Sequence, residues 1–170
     1  MSILRQWKTM GISGLRLVMA LTAIVGLALP ALGDDWLPFR GHADEMRLPI
    51  PETGAGDCLR GCQVTASGVG QATYLGQFRR LACGVLQADG SREGIGEFTA
   101  ANGDTLCADF KVEPPIPGPT GLSIQGTYTF TGGTGRFSDA SGGAYFVGVR
   151  TVDDAGITHI AVDFVGFIQY

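Results

Sequence analysis

Between Gly126 and Gly148 the chain writes a strand, a glycine turn and a second strand in 23 residues. Tyr128 and Phe130 interleave with Thr127, Thr129 and Thr131, the period-2 pattern of a strand with one buried face. Gly132, Gly133 and Gly135 then offer the positive φ that a turn needs. Arg136 and Phe137 ride on the connection, and an apolar run resumes from Ala144 to Val149. The glycines invite comparison with a phosphate loop, but there is no Gly-Lys-Ser/Thr ending and no following helix pattern. Hairpin chemistry is the better reading.

The same grammar recurs along the chain. Strands are predicted over 63–67, 75–86, 94–100, 105–112, 122–131, 141–151 and 157–170, with turns at Ala88–Ser91, Ala101–Asp104 and Asp153–Gly156. The Asn102-Gly103 step predicts a type I′ hairpin turn. Glu113–Pro119 holds four prolines and reads as a stiff extended connector. No window after residue 33 keeps a helical apolar period without a Gly or Pro interrupting it. The last strand places Ile160, Val162, Phe164, Ile168 and Tyr170 on one face. So apolar a strand belongs at the centre of a sheet or in a closed barrel, away from an edge. The expected fold is all-β, an eight-stranded antiparallel barrel, with a β-sandwich as the alternative.

Three segments are expected: a signal peptide at 1–33, an irregular stretch at 34–60 and the barrel at 61–170. Arg5, Lys8 and Arg16 precede an apolar run from Leu17 to Leu29, and Ala31-Leu32-Gly33 is a small-residue cleavage site, the order of a secretory signal. The run is short for a membrane span, so no membrane role is expected of the mature form, and the destination is the periplasm or the exterior. In 34–60, Pro38, Pro49 and Pro51 argue against a central strand, although 39–48 has the look of an edge strand. Beyond residue 33 stand 9 basic and 16 acidic side chains, net −7 with histidine neutral. That balance argues against nucleic acid as a partner. Cys58, Cys62, Cys83 and Cys107 suit disulfides in an oxidising compartment. Of the three pairings possible, Cys83–Cys107 with Cys58–Cys62 is favoured here.

Little chemistry declares itself. His42 and His159 each stand alone, and Cys58 and Cys62 have no second close pair, so neither a metal site nor a cofactor is expected. No Gly-x-Ser-x-Gly elbow is present. Arg60, Arg79 and Arg80 read as an exposed, salt-bridged face. The inward residues of the clearest strands are apolar, and the titratable candidates near a ligand are Glu97, Tyr128 and Tyr145.

Gly70–Phe78, Phe98–Leu106 and Tyr128–Gly142 together resemble a group of small exported bacterial proteins whose domain is similar to the allene oxide cyclase and dirigent barrel. The resemblance spans 63–170 and implies an eight-stranded antiparallel barrel. The plant enzymes cyclise a bound allene oxide or steer radical coupling inside the barrel, and they form trimers. The matching residues are turn and strand residues, so no catalytic position carries over. A homo-oligomer is compatible with the sequence, which selects none. The leading expectation is a non-catalytic structural or interaction module. Next comes a carrier of a small hydrophobic ligand, and then an isomerase or cyclase resembling allene oxide cyclase. A cavity of roughly 300 Å3 or more with an open mouth would favour the carrier, a Glu97–Tyr pair facing it the enzyme, and a solid interior neither.

Overall fold

Three hairpins turn in the same way. Gly90, Gly103 and Gly156 each donate a backbone bond to the carbonyl three residues earlier (Gln87, Ala100 and Asp153) and take φ of 87°, 89° and 80°. A β-carbon would strain that left-handed conformation. Asn102 keeps a negative φ, so the Asn-Gly hairpin is a three-residue loop closed by a left-handed glycine, rather than the type I′ turn its dipeptide predicted.

The computed structural model describes residues 36–54 and 56–170; the predicted signal peptide at 1–33 lies outside them. Among the described residues run β1 (Leu37–Thr53), β2 (Gln63–Ala72), β3 (Gly76–Leu86), β4 (Arg92–Ala100), β5 (Thr105–Val112), β6 (Ile116–Gly118), β7 (Gly121–Gly133), β8 (Ser141–Val152) and β9 (Thr158–Gln169). Eight pair antiparallel in the order β5-β4-β3-β2-β1-β9-β8-β7, and β7 returns to β5 to close the ring. The fold is therefore a closed eight-stranded antiparallel barrel, and the sandwich alternative is set aside by the β5–β7 pairing. β6 is a three-residue edge on β7 inside the proline-rich connector.

Strand β1 corrects the expectation for 34–60. It pairs β2 on one side and β9 on the other, so the segment supplies a full barrel strand. The prolines do not prevent this because of where they fall. Pro38 is the second residue of the strand, and Pro49 and Pro51 lie beyond Met46, the last residue matched to β9, inside a break in the β2 register between Arg47 and Glu52. β9 sits between β1 and β8, which removes the apolar edge its sequence warned against.

Eight strands leave an interior just wide enough for side chains, and phenylalanine and glycine share that space. Gly41 faces Phe164, Gly70 faces Phe78 and Gly126 faces Phe146 across strand pairs. A β-carbon at these glycines would stand 2.5–2.6 Å from the partner ring. Phe39 packs edge-on against Phe130 and stacks on Phe164, with centroids at 4.9 and 5.5 Å. Phe137, on a 3-10 turn between β7 and β8, is fully buried with Leu106 and Ile168. Phe39, Phe130, Phe137 and Phe164 plug the end of the barrel that holds the β4–β5 and β7–β8 turns.

A second, smaller apolar cluster lies on the outer wall. Leu59 and Val64 pack there with Cys83, under Leu48, Cys58, Cys62 and Leu81. Two disulfides pin it: Cys58–Cys107 and Cys62–Cys83, with Cα separations of 5.6 and 6.1 Å. The favoured pairing was wrong. Strand β4 runs between β3 and β5, so Cys83 and Cys107 are two strand spacings apart, about 10 Å. Both point outward and meet the loop that carries Cys58 and Cys62. Two disulfides are consistent with an oxidising compartment.

Non-reducing peptide mapping should recover the Cys58–Cys107 and Cys62–Cys83 linkages and no Cys83–Cys107 peptide. On loop-closure entropy, sequence separations of 49 and 21 residues are worth about 4 and about 3 kcal/mol. Replacing Cys58 and Cys107 by serine should therefore lower denaturant stability more than replacing Cys62 and Cys83.

Candidate functional site

Strict alternation sets what faces inward. On β1 the inward row is Leu37, Phe39, Gly41, Ala43, Glu45 and Arg47; on β3 it includes Phe78, Arg80 and Ala82. Both rows start apolar at the plugged end and turn charged toward the other. Glu45, Gly68 and Arg80 lie in one register row across β1, β2 and β3. Gly68 has no side chain, so the carboxylate of Glu45 reaches over it to the guanidinium of Arg80 on a strand that is not its neighbour. A β-carbon at Gly68 would fall 2.7 Å from Glu45 Cγ and 2.4 Å from the Asp44 carbonyl.

Arg80 Nη1 donates to Glu45 Oε2 at 2.5 Å, and both side chains are only 5–6% exposed. The guanidinium lies 5.4, 5.5 and 5.3 Å from the ring centres of Phe98, Phe110 and Tyr128, within cation–π range. Burial works against its charge, but Glu45 more than offsets that and holds the group protonated. Burial pushes the Tyr128 phenol above its usual value, against the opposing pull of Arg80. Tyr128 therefore stays an O–H, able to donate and unsuited to act as a base.

Above this floor the barrel is open. A cavity of about 80 Å3 is lined by Glu45, Arg80 and Tyr128 below, by Phe110, Phe146, Ile124, Ile160 and Val162 on its walls, and by Arg47, Arg92 and Arg150 toward the mouth. Arg47 is lowered to about 10, first by burial and then by the charges of Arg92 and Arg150. Arg92 is lowered by burial and by Arg150. Arg47 and Arg92 remain cations at neutral pH, and both feel the charge of Arg150 across the opening.

Of the three residues named as ligand candidates from sequence, the structure brings one to the cavity, Tyr128. Glu97 is buried but faces outward, because its neighbours Gly96 and Phe98 face in; it lies under the disulfide-tied loop and accepts from the Cys58 backbone N–H at 2.9 Å. Tyr145 is exposed on β8 and donates to Gln125 Oε1 at 2.8 Å. No Glu97–Tyr pair faces the interior. Arg79 and Arg60 are exposed as expected, but Arg80 is a core residue, not part of a surface patch. Sequence reading missed Glu45, Arg47, Arg92 and Arg150. The signal for the first two was present: Glu45 and Arg47 share a period-2 face with Phe39 and Ala43.

No protein-family model matches the sequence, and no curated protein matches it. Among solved structures, the fold is similar to that of the pterocarpan synthase dirigent protein GePTS1, at 15% identity over 79% of this chain and 85% of that one, with a TM-score of 0.44.

Removing Glu45 alone strands a buried cation, which costs about 3–5 kcal/mol. Glu45→Gln should lose that much in denaturant unfolding, and Gly68→Val should approach it by blocking the reach to Arg80. Replacing the pair together, Glu45→Leu with Arg80→Met, should recover most of the loss. If both single changes left stability untouched, the pair would not be the anchor of this end.

Proposed function

We propose that the protein is a non-catalytic barrel that binds a small molecule, or the head of a larger one, in its open end. The observation that carries this reading is the contrast between the two ends. One is plugged by aromatic rings, while the other keeps a charged pair and a phenol on the floor of an unfilled cavity. An apolar filling of similar volume would be as stable as a buried ion pair, or more so. Retaining Glu45, Arg80 and Tyr128 there is better explained by recognition than by stability.

The cavity of about 80 Å3 is well below the several hundred Å3 that enclose a drug-sized ligand. A carrier that swallows a hydrophobic molecule whole is therefore disfavoured, and a site that grips a polar group at its mouth is favoured. Catalysis finds less support. Glu45 is committed to Arg80, and Tyr128 holds its proton, so neither is free to take one. The site would operate after export, in the oxidising compartment that the cysteines suit.

Native mass spectrometry of the protein purified from its own host should show a co-purifying species of small mass. That species should be lost from a Tyr128→Leu, Phe110→Trp variant, which fills and depolarises the floor. A wild-type spectrum with no bound species, together with a failure of any small-molecule library to raise the melting temperature, would refute the reading.

A further inference from the structure

The charge on this chain is distributed against its own average. After residue 33 the sequence is net −7, with nine basic side chains. Four of the nine, Arg47, Arg80, Arg92 and Arg150, line one cavity. Inside it the single carboxylate, Glu45, is taken by Arg80. Glu113 touches the rim but is exposed and turned outward, where it accepts from Gln125 Nε2. Among the described residues, Arg47, Arg92 and Arg150 form no ion pair.

Their surroundings make this arrangement costly when nothing is bound. The three are partly buried in a cavity that Ile124, Ile160, Phe110 and Phe146 also line. Nε of Arg47, of Arg150 and of the deeply buried Arg80 is shielded from solvent and has no hydrogen-bond partner among the described residues. Unpaired buried donors cost free energy, and like charges in one partly dry site raise each other's energy. On an ordinary surface, arginines scatter and find carboxylates. Here they converge with donors unspent, and a guanidinium's fork of N–H groups matches the oxygens of a carboxylate or phosphate.

We propose that the open end recognises a multiply charged oxyanion group — a phosphate or a pair of carboxylates — gripped by Arg47, Arg92 and Arg150. The multiplicity follows from counting: a single negative charge would leave two guanidiniums uncompensated, whereas a doubly charged head leaves one, which can face water at the mouth. The inference rests on the open end being a ligand site.

Calorimetric titration of the purified, oxidised protein with four probes of one ring size tests it: phenyl phosphate, phthalate, benzoate and benzyl alcohol. The two dianions should bind at least about tenfold tighter than benzoate, and benzyl alcohol not measurably, since each charge-assisted pair is worth about a factor of ten or more. Phenyl phosphate ahead of phthalate would assign a phosphate head, and the reverse a paired carboxylate; either order supports the proposal. Arg92→Gln and Arg150→Gln should each weaken dianion binding by about tenfold. Their ligand-free melting temperatures should hold or rise, because a like charge is removed. Dianions binding no better than benzoate, or binding the variants as well as the wild type, would overturn the proposal. If benzoate or benzyl alcohol bound wild type and variants alike, the charge class would fall while the open end remained a ligand site. If none of the four bound, the proposal would fall, and the library screen would then decide the broader reading.

Discussion

A guanidinium enclosed by Phe98, Phe110 and Tyr128 cannot stay charged without a partner, and the barrel is arranged to supply one. Glu45 on β1 and Arg80 on β3 meet only because β2 presents Gly68 between them in the same register row. The pair therefore depends on three strands being in correct register at once. A one-residue slip of β1 would turn Glu45 to solvent and bring Asp44 or Met46 inward, and the buried Arg80 would penalise that slip by several kcal/mol. Buried ion pairs seldom add net stability, but they discriminate well among registers. In this barrel, the strand whose prolines made its sequence hardest to place is the one that the ion pair fixes.

The pair also divides the interior. Toward the β4–β5 turn, glycine seats and phenylalanine rings fill the space. Toward the β3–β4 turn, arginines stand among the apolar walls of Phe110, Ile124, Phe146 and Ile160, and a gap of about 80 Å3 remains. The basic side chains are thus placed against the net charge: four of the nine that follow residue 33 line this one opening.

Much of the barrel was legible because period-2 alternation survives intact in β5, β7 and β9. Ile124, Tyr128, Phe130, Val162, Phe164 and Ile168 face inward as their spacing required. The errors share one cause: they need knowledge of which strands are neighbours. Cys83 and Cys107 looked paired because they are close in sequence, yet β4 separates them. Arg80 looked like half of a surface Arg-Arg patch, although alternation with Phe78 and Ala82 already placed it inside. Glu97 was misplaced against the same rule, since Phe98 beside it is core. Arg92 and Arg150 share period-2 faces with Phe98 and Phe146, but only the closed ring shows that they share a mouth.

The two disulfides look remote from that mouth, on the outer wall, but the chain path connects them. β1 carries Glu45 and Arg47 inward, breaks register after Arg47, and enters the loop that holds Cys58 and Cys62. Those cysteines tie the loop to β5 and β3, flanking β4, whose first residue is Arg92 and whose Glu97 receives the Cys58 N–H. The wall that presents Arg80 and Arg92 is thus stapled from behind to the continuation of the strand that presents Glu45 and Arg47. An end without an apolar plug lacks the packing that normally holds strands in place. Covalent ties on the outer face hold that wall without occupying any of the interior volume that the open end leaves free.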